Sequence, residues 1–173
     1  VGGGVIPERL VTALIDFTAQ AAPLLRSFYG IPAEKSGQLT EAYRQMIVGL
    51  RGMAVALGVP EPDRGMYGNT VTLIRSDDAS AYLKRYIQSL KTLQELAEKE
   101  KPSMFAGFQF EETQIDGAAA LKGSMDLTKM PGMQEVPQLS QLMEAFYGPG
   151  GKATFVMVVA DEHTVVGAYT EKL

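Results

Sequence analysis

The sequence predicts a soluble α+β domain in which helices cover one face of an antiparallel sheet of about six strands. Three observations predict it: three pairs of apolar segments joined by turn residues, several segments with apolar residues at helical spacing, and an ordinary globular composition. Of the 173 residues, 46% are hydrophobic and 21% are charged, which suits one domain with a sizeable core. The expected order is helix-helix-ββαββαββ over residues 1–173, with residues 1–6 as a flexible start.

Two helices are expected near the beginning of the chain. Pro7 suits a first-turn position, and the helical pattern continues to Phe28, with a kink or split at Pro23. The residues that mark its apolar face are Leu10, Leu14, Phe17, Ala21, Leu24 and Leu25. A second helix is expected over residues 37–50, with Ser36 as its N-cap.

The first predicted hairpin pairs residues 53–59 with residues 70–75, and the connection between them is rich in turn residues. A third helix follows at once. Asp77 and Asp78 offer side-chain oxygens and negative charge to the free N–H groups of its first turn, and apolar residues follow at helical spacing to Ala97. This helix is therefore expected to begin directly after the hairpin.

The second predicted hairpin covers residues 107–127 and turns at Asp116-Gly117, a dipeptide that tolerates the positive φ angles of a type I′ turn. Alternation divides its side chains between the two faces of the sheet. We expect four side chains to point into the core, namely Phe108, Phe110, Leu121 and Met125. We expect three to point outward, namely Lys122, Ser124 and Asp126.

A helix over residues 137–147 and a third hairpin are expected to complete the fold. The hairpin pairs residues 153–160 with residues 164–170. Both faces of the segment 155–159 are apolar, which predicts a central strand. The partner strand around Val166 carries neither charge nor proline, so it is expected to lie inside the sheet or to be covered by a second copy or another segment.

Composition excludes several classes of protein. The formal net charge is −4 and the basic residues are interleaved with acids, so no nucleic-acid partner is expected. Cysteine is absent, which removes disulfides, thiolate nucleophiles and cysteine metal sites. No apolar run approaches the roughly 18 residues of a membrane span. The chain starts at Val1 rather than methionine, which favours a fragment or an exported, periplasmic or extracellular protein whose leader has been removed.

Two motifs resemble functional ones, and each has a simpler interpretation. The glycine-rich segment 148–154 follows a helix and precedes a strand, the reverse of a phosphate-binding loop, so it is expected to be a helix stop and a turn. His163, the only histidine, is either a general base or pH-sensitive group beside Asp161 and Glu162, or a solvated turn residue. No G-x-S-x-G motif occurs, and no cofactor is expected.

Methionines and carboxylates supply weaker candidates. Met130 and Met133 carry thioethers three residues apart that suit Cu(I), although methionine also packs irregular loops. Glu111 and Glu112 are neighbours in a strand and must point to opposite faces. A catalytic acid pair formed by Glu112 with Asp126 has no support beyond residue type.

The loop 62–69 is the best candidate site, because long loops in compact domains are often binding loops. Its chemically useful residues are Asp63, Arg64, Tyr67 and Asn69. Since no nucleophile, metal or cofactor constellation is present, the sequence favours a non-catalytic binding or scaffold module with an unidentified ligand. A protein partner or a homodimer formed through a sheet edge is also expected. The alternative is an enzyme that uses Asp, Glu or Tyr chemistry in a cleft near residues 60–69.

Overall fold

A seven-stranded antiparallel sheet organises the protein. The computed structural model describes residues 2–28, 31–59, 65–97, 107–129, 141 and 144–170. The strands are β1 (Gly2–Val5), β2 (Leu50–Leu57), β3 (Thr70–Ser76), β4 (Phe108–Ile115), β5 (Ala118–Asp126), β6 (Lys152–Asp161) and β7 (Thr164–Thr170). Their spatial order is β1-β2-β3-β7-β6-β5-β4. The predicted α+β class is confirmed, with seven strands instead of six.

The additional strand is β1, in residues that were expected to form a flexible start. Gly2–Val5 pairs antiparallel with β2, from Gly2 opposite Val55 to Val5 opposite Gly52. The Ile6 N–H donates to the carbonyl of Arg51 and continues the pairing. The prediction was wrong here because three consecutive glycines carry no side-chain alternation, and alternation is the signal that predicts a strand.

All three predicted hairpins are present, and the third is inserted between the other two. β7 pairs with β3 and β6 pairs with β5, so both strands of the third hairpin are interior, as expected for the strand around Val166. The second hairpin turns at Asp116 (φ 50°) and Gly117 (φ 82°), the two positive φ angles of the predicted type I′ turn. The edge strands of the described sheet are β1 and β4.

The main helix on the sheet is α3 (Ala79–Leu96), which begins where the sequence predicts. Asp78 is its N-cap, and the Asp78 carboxylate accepts a hydrogen bond of 2.8 Å from the Ala81 N–H. Eighteen residues give a length of about 27 Å. This length exceeds the roughly 19 Å from β3 to β4, so α3 can carry the chain from the first hairpin across the sheet to the second.

The helix α2 (Ser36–Ile47) is shorter than predicted. Ser36 is not its N-cap: it lies inside the helix, and the Ser36 hydroxyl donates to the carbonyl of Ala33 in the preceding 3₁₀ turn. Leu50, the predicted end of the helix, is the first residue of β2. The chain leaves the helix at Val48 and turns at Gly49, whose φ is 82°.

The helix α1 (Glu8–Phe28) contains Pro23, as expected, but its predicted core face is exposed. Four residues of the predicted face are exposed: Leu10 (46%), Leu14 (36%), Phe17 (65%) and Leu24 (74%). A neighbouring stripe is the more buried one, and it consists of Val11, Ile15, Thr18, Ala22 and Leu25. α1 packs mainly on α2, and α2 on α3, so most of α1 has only α2 to cover its leucines.

The core lies between α3 and one face of the sheet, here called the inner face. Leu83, Leu121 and Val165 are fully buried there, and Leu39 and Leu93 join a second cluster between the helices. The register places the four predicted inward residues of the second hairpin on this face and the three predicted outward residues on the opposite one. Phe108, Phe110 and Met125 are half-buried rather than fully buried.

The remaining helix prediction, over residues 137–147, falls mainly outside the described residues. Residues 141 and 144–147 are helical. Gly148, Gly150 and Gly151 follow with positive φ angles, in a 3₁₀ turn that leads into β6. The described part of the glycine-rich segment is therefore a helix stop and a turn, as expected.

Candidate functional site

The face of the sheet opposite α3, here called the outer face, has an apolar centre. Strand pairing aligns its side chains in two rows. Within the interior strands, one row runs through Ala54, Leu73, Val166, Val158 and Ala120, and the next through Ala56, Val71, Ala168, Val156 and Lys122. Val71 and Leu73 are 39% and 43% exposed, Ala120 is buried, and the other members of the two rows are half-buried. A sheet that faced water would alternate apolar with polar residues here.

A broad depression of about 770 Å³ lies at one end of this face, where β1, β2, β3 and β7 meet the beginning of α3. Its apolar lining consists of Val5, Gly52, Met53, Ala54 and Leu73. Its charged and titratable lining consists of Arg51, Arg75, Asp77 and His163. This volume is in the range of small-molecule sites, and such sites combine mainly apolar walls with a few polar groups.

Arg51 and Asp77 form a forked ion pair in the lining. Arg51 Nε and Nη2 donate hydrogen bonds of 2.7 Å to the two carboxylate oxygens of Asp77. Hydrogen bonding to Arg51 lowers the pKa of the Asp77 carboxyl below its usual value. The pair joins β2 to the residue before the N-cap of α3, so it fixes one wall of the depression.

His163 occupies the predicted turn between β6 and β7, but it is also held against the start of α3. Its backbone N–H donates 2.8 Å to the Asp161 carboxylate, and its ring Nδ1 lies 2.9 Å from the carbonyl oxygen of Asp77. Its carbonyl accepts from the Ser76 N–H. The side chain is exposed, as the turn interpretation predicted, and it lines the depression.

Arg75 is the charged residue of the depression that lies on the apolar face itself. It is directly opposite Gly52 on β2 and Thr164 on β7, and Leu73 follows on the same side of β3. Its guanidinium forms no hydrogen bond or ion pair with any group in the described part of the chain. Arg75 is exposed, whereas Gly52 is buried, and a side chain at position 52 would meet the Gly4 carbonyl and the Arg75 Cβ.

The candidate loop at residues 62–69 does not form a second site in the described structure. Asp63 and Arg64 lie outside the described residues. Asn69 Nδ2 donates a hydrogen bond of 3.1 Å to the carbonyl of Val59, across the ends of β2 and β3. The Tyr67 ring contacts the rings of Phe146, Tyr147 and Tyr169 at centroid distances of 5.4–6.4 Å. Both described residues therefore have packing or hydrogen-bonding roles.

The other sequence candidates also lack a shared site. Glu112 is on the inner face opposite Leu121 and pairs with Lys91 of α3. Asp126 is on the outer face opposite Lys152, and the Thr128 hydroxyl is the main cause of its lowered pKa. The two carboxylates are thus on opposite faces of the sheet and cannot act on one substrate. Met130 and Met133 lie outside the described residues.

Sequence reasoning missed the depression because its charged residues are distant in sequence. Arg51, Arg75 and His163 come from three different strands or turns, and only the strand order brings them together. Among the residues that the structure describes, no group of three His, Asp or Glu side chains could hold a metal ion. No helix in those ranges is long and apolar enough to cross a membrane.

Comparison with protein-family models, with curated proteins and with solved structures finds no match to this chain. The functional assignment therefore depends on the geometry of the outer face and its depression.

Proposed function

We propose that this protein is a non-catalytic binding module and that the outer face of the sheet, with its depression, is the binding surface. The observation that carries the proposal is the apolar centre of this face, where Val71 and Leu73 remain exposed. An uncovered apolar surface of this kind costs solvation free energy, and on soluble proteins it commonly marks a binding site.

The size of the apolar area favours a small occupant. Five strands at about 4.8 Å spacing and two rows of side chains about 7 Å apart give roughly 300–400 Å². A stable protein–protein interface buries about 800 Å² per partner. The apolar area is less than half of that, but it is sufficient for a single-chain or drug-sized molecule.

The exposed stripe of α1, which includes Phe17 and Leu24, is the competing apolar surface. A helix exterior is convex, whereas ligand sites are concave. The outer face offers a concave depression with charged groups at one end, and this difference is the reason to prefer it.

A neutral solvatochromic dye such as Nile red tests the proposal. We expect the wild-type chain to bind the dye, with a rise and blue shift of fluorescence, and Leu73→Lys to weaken binding several-fold. Two variants at exposed apolar residues away from the outer face are the matched controls: Phe17→Lys on the α1 stripe, and Val59→Lys after the end of β2. Both should leave dye binding unchanged. Circular dichroism and urea unfolding establish that each variant is folded.

Three results would overturn the proposal. The first is absence of dye binding by the folded wild type. The second is loss of binding in Phe17→Lys with binding retained in Leu73→Lys, which would assign binding to α1. The third is a wild-type dimer in light scattering that Leu73→Lys converts to a monomer, which would make the outer face an interface between copies.

A further inference from the structure

We infer that the ligand of the depression is a single-chain amphiphile with an anionic head group, which Arg75 binds while the alkyl chain lies on the outer face. This inference rests on the proposed function and names the ligand class for the same surface. The head group is a carboxylate or a phosphate, because the planar guanidinium fork matches both.

Charge complementarity is the first argument. Arg51 is neutralised by the forked pair with Asp77, whereas Arg75 has no partner in the described part of the chain. The arginines and the carboxylate of the lining are Arg51, Arg75 and Asp77, a local excess of positive charge in a chain whose formal net charge is −4. The exposed guanidinium of Arg75 is available to an anion, and the apolar side chains beside it favour an anion that also supplies apolar contact.

The position of Arg75 is the second argument. Arg75 is exposed and lines the depression, and the next residue of β3 on the same face is Leu73, which is 43% exposed. Beyond Leu73 the row continues through Val166 and Val158. A head group at Arg75 thus places its attached chain over consecutive apolar side chains, where burial of its CH₂ groups is favourable.

Calorimetric titration with four ten-carbon probes tests the ligand class: decanoate, decyl phosphate, decanol and decyltrimethylammonium, each below its micelle-forming concentration. We expect decanoate or decyl phosphate to bind at least about tenfold more tightly than decanol and the cation, since hydrogen bonds to a charged group supply that difference. The comparison of the first two distinguishes a carboxylate from a phosphate head.

Variants then locate each part of the ligand. Arg75→Gln should weaken decanoate binding at least about tenfold without changing decanol binding, and Arg75→Lys should restore part of the loss. Lys84→Gln removes an exposed cation of α3, on the other side of the sheet, and should have no effect. Ala54→Phe fills the depression and should abolish binding of every probe, whereas Ala119→Phe, at an exposed position on the inner face of β5, should not.

The outcomes separate this inference from the proposed function. Equal binding of decanoate and decanol, with both lost in Leu73→Lys, would overturn the anionic head group and leave the binding module intact. Equal losses in Arg75→Gln and Lys84→Gln would show non-specific attraction and would also overturn the inference. Absence of both dye and decanol binding would overturn the proposed function itself.

Discussion

Gly123 and Phe155 occupy opposite positions on β5 and β6, and the Phe155 ring fills the space that a side chain at position 123 would need. The same ring is stacked on Phe108, with centroids 5.8 Å apart and planes at 18°. Phe155 therefore has neighbours on both sides and little freedom to move away from an added methyl group.

We predict that Gly123→Ala lowers the free energy of unfolding by about 1–3 kcal/mol, because the new Cβ overlaps the Phe155 ring. Gly167→Ala is the matched control, since its Cβ would meet no atom closer than Met157 Cγ at 3.7 Å. That variant should be neutral or more stable by about 0.4–1 kcal/mol. Urea unfolding of both variants measures the difference, and equal effects would contradict the packing described for Phe155.

Val165 and Val166 are neighbours in β7 that point to opposite faces, so they test the assignment of inner and outer faces. Val165 is fully buried under α3, whereas Val166 is half-buried in the apolar row of the outer face. We predict that Val165→Ala costs about 2 kcal/mol, from two lost methyl groups and the remaining cavity, and that Val166→Ala costs less than about 0.5 kcal/mol.

The companion measurement uses lysine at the same two positions. Val165→Lys should prevent folding, whereas Val166→Lys should fold and lose dye binding. If Val165→Lys has normal stability and Val166→Lys fails to fold, the assignment of the inner and outer faces is the wrong way round.

Asp77 should make stability depend on acid pH. Its folded-state pKa is lowered by the hydrogen bonds from Arg51, so its contribution is present above the unfolded-state pKa of about 3.9 and is lost as pH falls through the folded value. We predict that Asp77→Asn is less stable than the wild type at pH 6 and that the difference shrinks as the pH falls below about 4.

The measurement is urea unfolding across this pH range, with Arg51→Gln as a second variant that removes the same pair. Similar pH dependence of the two variants is expected. A constant difference between the wild type and Asp77→Asn down to pH 2 would mean that ionisation of Asp77 is not the cause.

Tyr169 should make stability depend on alkaline pH. Burial, and secondarily the neighbouring Tyr67, raises the pKa of the Tyr169 hydroxyl above its usual value. Its contribution is therefore present below the unfolded-state pKa of about 10 and is lost as pH rises towards the folded value. We predict a smaller decrease in stability between pH 9 and pH 11 for Tyr169→Phe than for the wild type, measured by urea unfolding. An identical decrease in both proteins would exclude Tyr169 as the titrating group.

Features that depend on neighbouring residues could be predicted from the sequence. Asp78 caps α3 because its carboxylate reaches an N–H three residues away, and Asp116-Gly117 forms the type I′ turn because these residues tolerate positive φ angles. The pairing within each hairpin follows from the same local geometry, which made the α+β class predictable.

Features that depend on contacts between distant segments required the tertiary structure. Gly2–Val5 becomes β1 only because the edge of β2 offers free N–H and C=O groups, and the glycines themselves carry no strand signal. The apolar residues of α1 follow helical spacing, but spacing does not say which face another element will cover. Insertion of β7 beside β3 brings His163 to Arg75 and Arg51, and this long-range pairing creates the depression that no local pattern in the sequence encodes.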